Sequence, residues 1–143
     1  MRNSVDRETE RRTTDAFPAS LKAVRGTGYI RVLFGLAVLA TLVATPFPDT
    51  AIATSTAIGV ACVVLVHGVV TLATSQLIVR RTDVAITSVA LDCALTVGAI
   101  ALLVGAWIQL DRSTAYVILG AVAVAVVSAI VVAAVHRPVP VCD

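Results

Sequence analysis

The sequence predicts an all-α integral membrane protein: a four-transmembrane-helix bundle of two hairpins with short loops and a disordered N-terminal tail. Three observations carry that expectation. Of the 143 residues, 58% are hydrophobic and 14% charged, whereas an average soluble domain has about 45–50% and about 25%; the mean hydropathy is +0.95. The apolar residues collect in four long runs between residues 29 and 136, while residues 1–28 hold half of the formal charges. Finally, nearly all basic residues fall on one side of the path that those runs define.

The tail, residues 1–28, opens "MRNSVDRETERRTTD", with charges of both signs and no apolar periodicity, the pattern of a disordered, cytoplasmic segment. Residues 17–25, "FPASLKAVR", form either a short interfacial helix with Phe17, Leu21 and Val24 toward lipid or a plain linker. The transmembrane domain, 29–136, divides into spans at about 29–45, 52–79, 84–108 and 114–136, separated by "PFPD", Arg80-Arg81 and the segment around Arg112. Each approaches or exceeds the ~20 residues that cross ~30 Å of hydrocarbon as a helix. Valine-rich runs of this length without period-2 alternation favour helices over strands. Residues 137–143 form a cytoplasmic C-terminal tail.

Orientation follows from Arg and Lys. With both termini cytoplasmic, Arg2, Arg7, Arg11, Arg12, Lys22, Arg25, Arg31, Arg80, Arg81 and Arg137 lie inside and Arg112 alone outside, a strong positive-inside bias for short loops. Trp107 and Tyr116 flank the outer loop and Tyr29 the inner face, as interfacial aromatics do. The expected location is therefore the cell membrane, multi-pass. A cleaved signal peptide is disfavoured, because the first apolar run follows a long polar segment and precedes no small-residue cleavage site.

Within the runs, polar and small residues align. Ala121, Ala125, Ala129 and Ala133 repeat every fourth residue of the last run, and Gly59 lies on a small and polar face of the second. Such stripes allow close helix packing in lipid. The second run carries His67, Thr71 and Thr74, the third Ser88, Asp92 and Thr96. An ionisable residue inside a span marks either a functional site or a polar pin between helices. Counting from the inner loop places His67 about 18 Å and Asp92 about 12 Å above that boundary. Helical side chains lean toward their own N-terminus, so His67 and Asp92 diverge in antiparallel neighbours. That favours Thr71, Thr74 and Ser75 as partners of Asp92 and disfavours a direct His67–Asp92 pair.

Function classes narrow accordingly. No HExxH, GxSxG or phosphate-binding loop is present, so an enzyme is not expected. His67 and His136 differ in depth by about 18 Å, which one haem cannot bridge within a chain. Cys62, Cys93 and Cys142 match no metal or disulfide framework. No metal, cofactor or nucleic acid is expected; the partners are the bilayer and other transmembrane helices, through self-association or a protein partner. The small multidrug-resistance transporters carry a glutamate in their first helix, and the first run here has no acidic residue, so that resemblance fails. The favoured expectation is a non-catalytic accessory, assembly or regulatory subunit of a larger membrane complex. The alternative is an oligomeric proton-coupled small-solute transporter or channel that uses Asp92.

Overall fold

Four helices carry the described residues of the computed structural model, which are 4–44, 51–105 and 112–136. They are α1 (Ser4–Ala44), α2 (Ala51–Arg80), α3 (Thr82–Gly105) and α4 (Arg112–Val135). All four are long and apolar enough to cross a membrane, over Phe17–Ala44, Ala53–Arg80, Thr82–Gly105 and Arg112–Val135. The last three match the expected runs to within a few residues; residue 45, residues 106–108 with Trp107, and the tail 137–143 lie outside the described residues.

The first span differs from its expectation. The tail expected to be disordered is helical from Ser4, and the short helix expected at 17–25 is an unbroken part of α1. The sequence before Phe17 carries a central run of good helix formers, Arg7, Glu8, Glu10, Arg11 and Arg12, and Pro18 forfeits one backbone hydrogen bond without ending the helix. The candidate span runs Phe17–Ala44, with Lys22 and Arg25 in its first turns, instead of starting at Tyr29. That shift moves Arg31 from the inner boundary to the middle of the span.

Helix register follows from the contacts. Gly28 meets Leu72, Gly35 meets Leu65, and Gly68 meets Arg31 and Val32, so α1 and α2 run antiparallel. Arg80 stacks on Phe17 at 5.4 Å, within cation–π range, and Arg25 Nε donates to Ser75 Oγ at 3.4 Å. These pin the same register at the end where α2 leaves the bundle. α4 is antiparallel to α1, with Gly120 against the Phe34 ring. It is parallel to α2, with Thr114 Oγ1 donating to the Ala53 carbonyl at 3.5 Å. Val24, Ile78, Ala85 and Val132 close one end as a buried layer with one residue from each helix.

Only Arg81 separates α2 from α3. Its carbonyl accepts from Ala85 N–H and its N–H donates to the Leu77 carbonyl, so one residue ends one helix and begins the next. Arg80 at the C-terminus of α2 and Asp83 in the first turn of α3 both complement the helix dipoles. Among the described residues, α2 and α3 approach each other least of the helix pairs in contact, and α1 and α3 do not approach at the backbone.

The alanine stripe is corrected in part. Ala121 and Ala125 are buried, but Ala129 is half-buried and Ala133 exposed; the buried line continues through Ser128 and Val132. A strict four-residue step rotates ~40° per repeat around a helix of 3.6 residues per turn, so the stripe winds out of the interface. Gly59 likewise is exposed and has nothing within 4 Å of an added Cβ. The close approach expected there is made instead by Gly28, Gly35 and Gly68.

Candidate functional site

Arg31 and Asp92 meet across the bundle in the middle of the apolar spans. Val24, Thr27, Gly28, Arg31 and Gly35 are all buried on α1, a line at three- and four-residue spacing that marks one helix face. The glycines on either side of Arg31 bring α1 against α2, so the arginine side chain must run inward, past α2, toward α3. Its guanidinium Nη2 donates to both Asp92 oxygens, at 2.5 and 2.6 Å. The pair is nearly sealed, with side chains 2% and 1% exposed. One nitrogen serves both oxygens, so the contact is not the parallel two-nitrogen fork of the strongest Arg–carboxylate pairs.

The second guanidinium nitrogen is held by α2. Nη1 donates to Thr71 Oγ1 at 2.8 Å and lies 3.4 Å from His67 Nε2. Thr71 in turn donates to the His67 carbonyl one turn earlier, at 2.8 Å, the way a hydroxyl is satisfied inside an apolar helix. His67 Nδ1 lies 3.5 Å from Asp92 Oδ1. The tautomer protonated on Nδ1 fits both long contacts, with Nδ1 donating to Asp92 and Nε2 accepting from Arg31. The cluster thus joins three helices, carries one positive and one negative group, and is net neutral with that imidazole.

This geometry corrects the expected partners. Asp92 is held by Arg31, with His67 at the edge of contact, and not by Thr74 or Ser75; Ser75 receives Arg25 instead. The disfavoured His67–Asp92 approach is present. Counted from the true helix limits, Arg80 and Thr82, the depth offset falls from about 6 Å to about 4.5 Å, less than one helical turn, and Arg31 spans what remains. Of the other polar candidates, Thr74 and Thr96 bond the carbonyls of Val70 and Asp92, four residues back in their own helices, and Ser88 is half-buried. Arg31 is the residue that the expectation missed. Its signal was the Gly28–Arg31–Gly35 spacing, in which two glycines flank the charge on one face.

Beside the cluster lies a cavity of about 400 Å³ between α2, α3 and α4. Arg31, His67 and Asp92 line one end; Val63, Gly98, Leu102 and Ala121 line its apolar body. Gly59 and Gly98 also line it, and neither has an atom within 4 Å of an added Cβ. A second opening between α2 and α3, lined by Cys62, Val66 and Leu91 among others, reaches His67 from the opposite face. Both follow from the splay of α2 and α3 above their one-residue joint. Comparison with known proteins returned no matching family model, no matching curated protein and no matching solved structure.

Proposed function

We propose that this chain is a multi-pass protein of the cell membrane, with both termini cytoplasmic, that acts as a non-catalytic accessory, assembly or regulatory subunit of a larger membrane complex. The observation that carries this reading is that the charged cluster is closed upon itself. Arg31 and Asp92 are the only buried charged side chains among the described residues, and they neutralise each other, with Thr71 and His67 taking the remaining guanidinium nitrogen. A self-satisfied pair serves as a clamp that fixes which helices meet. Large apolar side chains such as Leu33, Ile86, Val97, Val104 and Ile130 point outward, a surface suited to hydrocarbon or to partner helices.

With Lys22, Arg25 and Arg31 counted within the span, the other basic residues still divide seven to one in favour of the cytoplasmic side, and Lys22 and Arg25 lie in the turns nearest it. Cysteine labelling checks this orientation. A cysteine placed at position 49 or 112 should react with a membrane-impermeant maleimide on intact cells, and native Cys142 should not. Reaction of Cys142 from outside would invert the topology.

Extraction in mild detergent tests the subunit reading, which expects a stoichiometric complex larger than any assembly of this chain alone. A pure homo-oligomer would favour the second reading, a proton-coupled transporter or channel built on Asp92. One observation supports that alternative: Asp92 is among the residues that line the apolar groove between α2, α3 and α4. The conservative pair Arg31→Gln with Asp92→Asn separates the two, because it keeps hydrogen-bonding groups and removes every titrating charge of the pair. Complex formation should survive it if the pair is a clamp; transport should be abolished if Asp92 carries protons.

A further inference from the structure

We propose that the seam between α1 and α2 at their basic end binds the phosphate of an anionic phospholipid, held by Arg25 and Arg80 with Lys22 beside them. This inference adds a lipid ligand to the membrane reading above and rests on the spans lying in a bilayer. α1 and α2 each give 28 residues to their spans, about 42 Å of helix at ~1.5 Å per residue. Hydrocarbon takes ~30 Å of that, and the headgroup layers bring a bilayer to ~40–45 Å. From Arg25 to Ala44, α1 covers ~29 Å, the hydrocarbon alone, so Phe17, Lys22 and Arg25 fall at headgroup depth. Arg80, stacked on Phe17, carries that level across to α2.

Both guanidiniums are oriented by neutral partners. Arg25 Nε donates to Ser75 Oγ at 3.4 Å, which draws the side chain onto the seam and leaves both Nη groups without an acceptor among the described residues. Arg80 lies 5.4 Å over the Phe17 ring; stacking uses the face of the guanidinium and leaves its N–H edge open. Ser75 precedes Arg80 by ~7.5 Å along α2. Lys22 and Arg25 lean toward the N-terminus of α1, the end at which Arg80 lies. All three cations are exposed, and among the described residues the ion pairs are those of Asp92 with Arg31 and His67. Three uncompensated positive charges select an anion, and two guanidinium edges suit phosphate oxygens. What lies beyond them selects an amphiphile. Tyr29, Leu33 and Leu36 continue the face of Lys22 and Arg25 at three- and four-residue spacing, all of them exposed, and form a track for an acyl chain toward the bilayer middle. The ammonium of a zwitterionic headgroup would meet the third cation, so the lipid carries net negative charge.

The full chain, purified in a neutral detergent, is titrated with dioleoyl phosphatidylglycerol and separately with dioleoyl phosphatidylcholine, and lipid adducts are counted by native mass spectrometry. The first phosphatidylglycerol should bind about tenfold more tightly, the scale that one or two basic residues set at an anionic surface. Arg25→Gln with Arg80→Gln should remove that preference. Lys22→Gln, at an exposed position, should weaken it severalfold with the melting temperature unchanged, and it decides the matter if the double variant loses its fold. Arg112→Gln makes the same charge change at the opposite end of the bundle and should leave the preference intact. Equal binding of the two lipids, a preference that survives the double variant or Lys22→Gln, or one lost equally in Arg112→Gln overturns the site. Glycerol phosphate at millimolar concentration should not displace the lipid; displacement would show a site for free phosphate and overturn the lipid. A chain that stays dispersed without detergent overturns the membrane reading itself, whereas one that requires detergent yet shows no headgroup preference overturns this site alone.

Discussion

Replacing Arg31 by Met in the full-length protein should lower its stability by about 3–5 kcal/mol, the usual cost of breaking one side of a buried ion pair. The physical cause is the carboxylate left behind. Asp92 would lose both hydrogen bonds from Nη2 in a site where its side chain is 1% exposed, with only the distant His67 Nδ1 to replace them. Asp92→Leu should cost a similar amount by stranding the guanidinium. The double variant, Arg31→Met with Asp92→Leu, removes both charges and should recover most of the loss, because well-packed apolar pairs often match buried ion pairs in stability. Unfolding in a fixed detergent, followed through all four corners of the cycle, measures the coupling. Additive single effects would show that the two residues do not act together, and the clamp would fall. The same double variant bears on function: native complex formation with both charges gone supports the subunit reading, whereas an intact fold that has lost activity supports the carrier.

Much of this fold was legible because the physics of crossing a membrane is written in run lengths. α2, α3 and α4 begin and end within a few residues of the apolar runs, and the Arg80-Arg81 pair marks the α2–α3 joint in sequence as in structure. α1 was harder for the same reason. Arg31 has the sequence signature of a boundary charge, like Arg80, and only its pairing with Asp92 lets it sit mid-span. Lys22 and Arg25 compounded the effect by making the first turns of the span look like tail. The site was half legible: Asp92, His67 and Thr71 stood out as polar residues in apolar runs, but their shared partner came from a helix read as ending its polar stretch there. Depth counting alone could not join His67 to Asp92, because an arginine side chain reaches across gaps that such counting treats as empty. The alanine stripe was legible as a seam and misplaced in its second half, since four-residue spacing mimics the helical repeat over two turns and drifts beyond them.

Gly68→Ala should be among the most damaging single-methyl changes in the chain. An added Cβ at Gly68 would lie 2.8 Å from Arg31 Cβ, 2.9 Å from Val32 N and 3.0 Å from Gly28 O. Two of these neighbours are backbone, so no rotamer change relieves them, and α1 must move away from α2. Overpacking of this kind costs about 1–3 kcal/mol, and here it also displaces the residue that carries the clamp. Moving α1 outward lengthens the path from Arg31 to Asp92, so part of the ion-pair loss is added to the steric loss. Gly98→Ala is the matched control, because its Cβ meets nothing within 4 Å and alanine is the better helix former by about 1 kcal/mol; it should leave stability unchanged or raise it. Melting temperatures in one detergent, with α1–α2 proximity read from a cysteine crosslink between positions 25 and 75, follow both effects. Two alanine variants with equal stability and equal crosslinking would mean that α1 and α2 do not pack through Gly68. If instead Gly68→Ala loses its crosslink but costs nothing further when combined with Arg31→Met and Asp92→Leu, then the clamp, and not the glycine contact itself, is what the close approach protects.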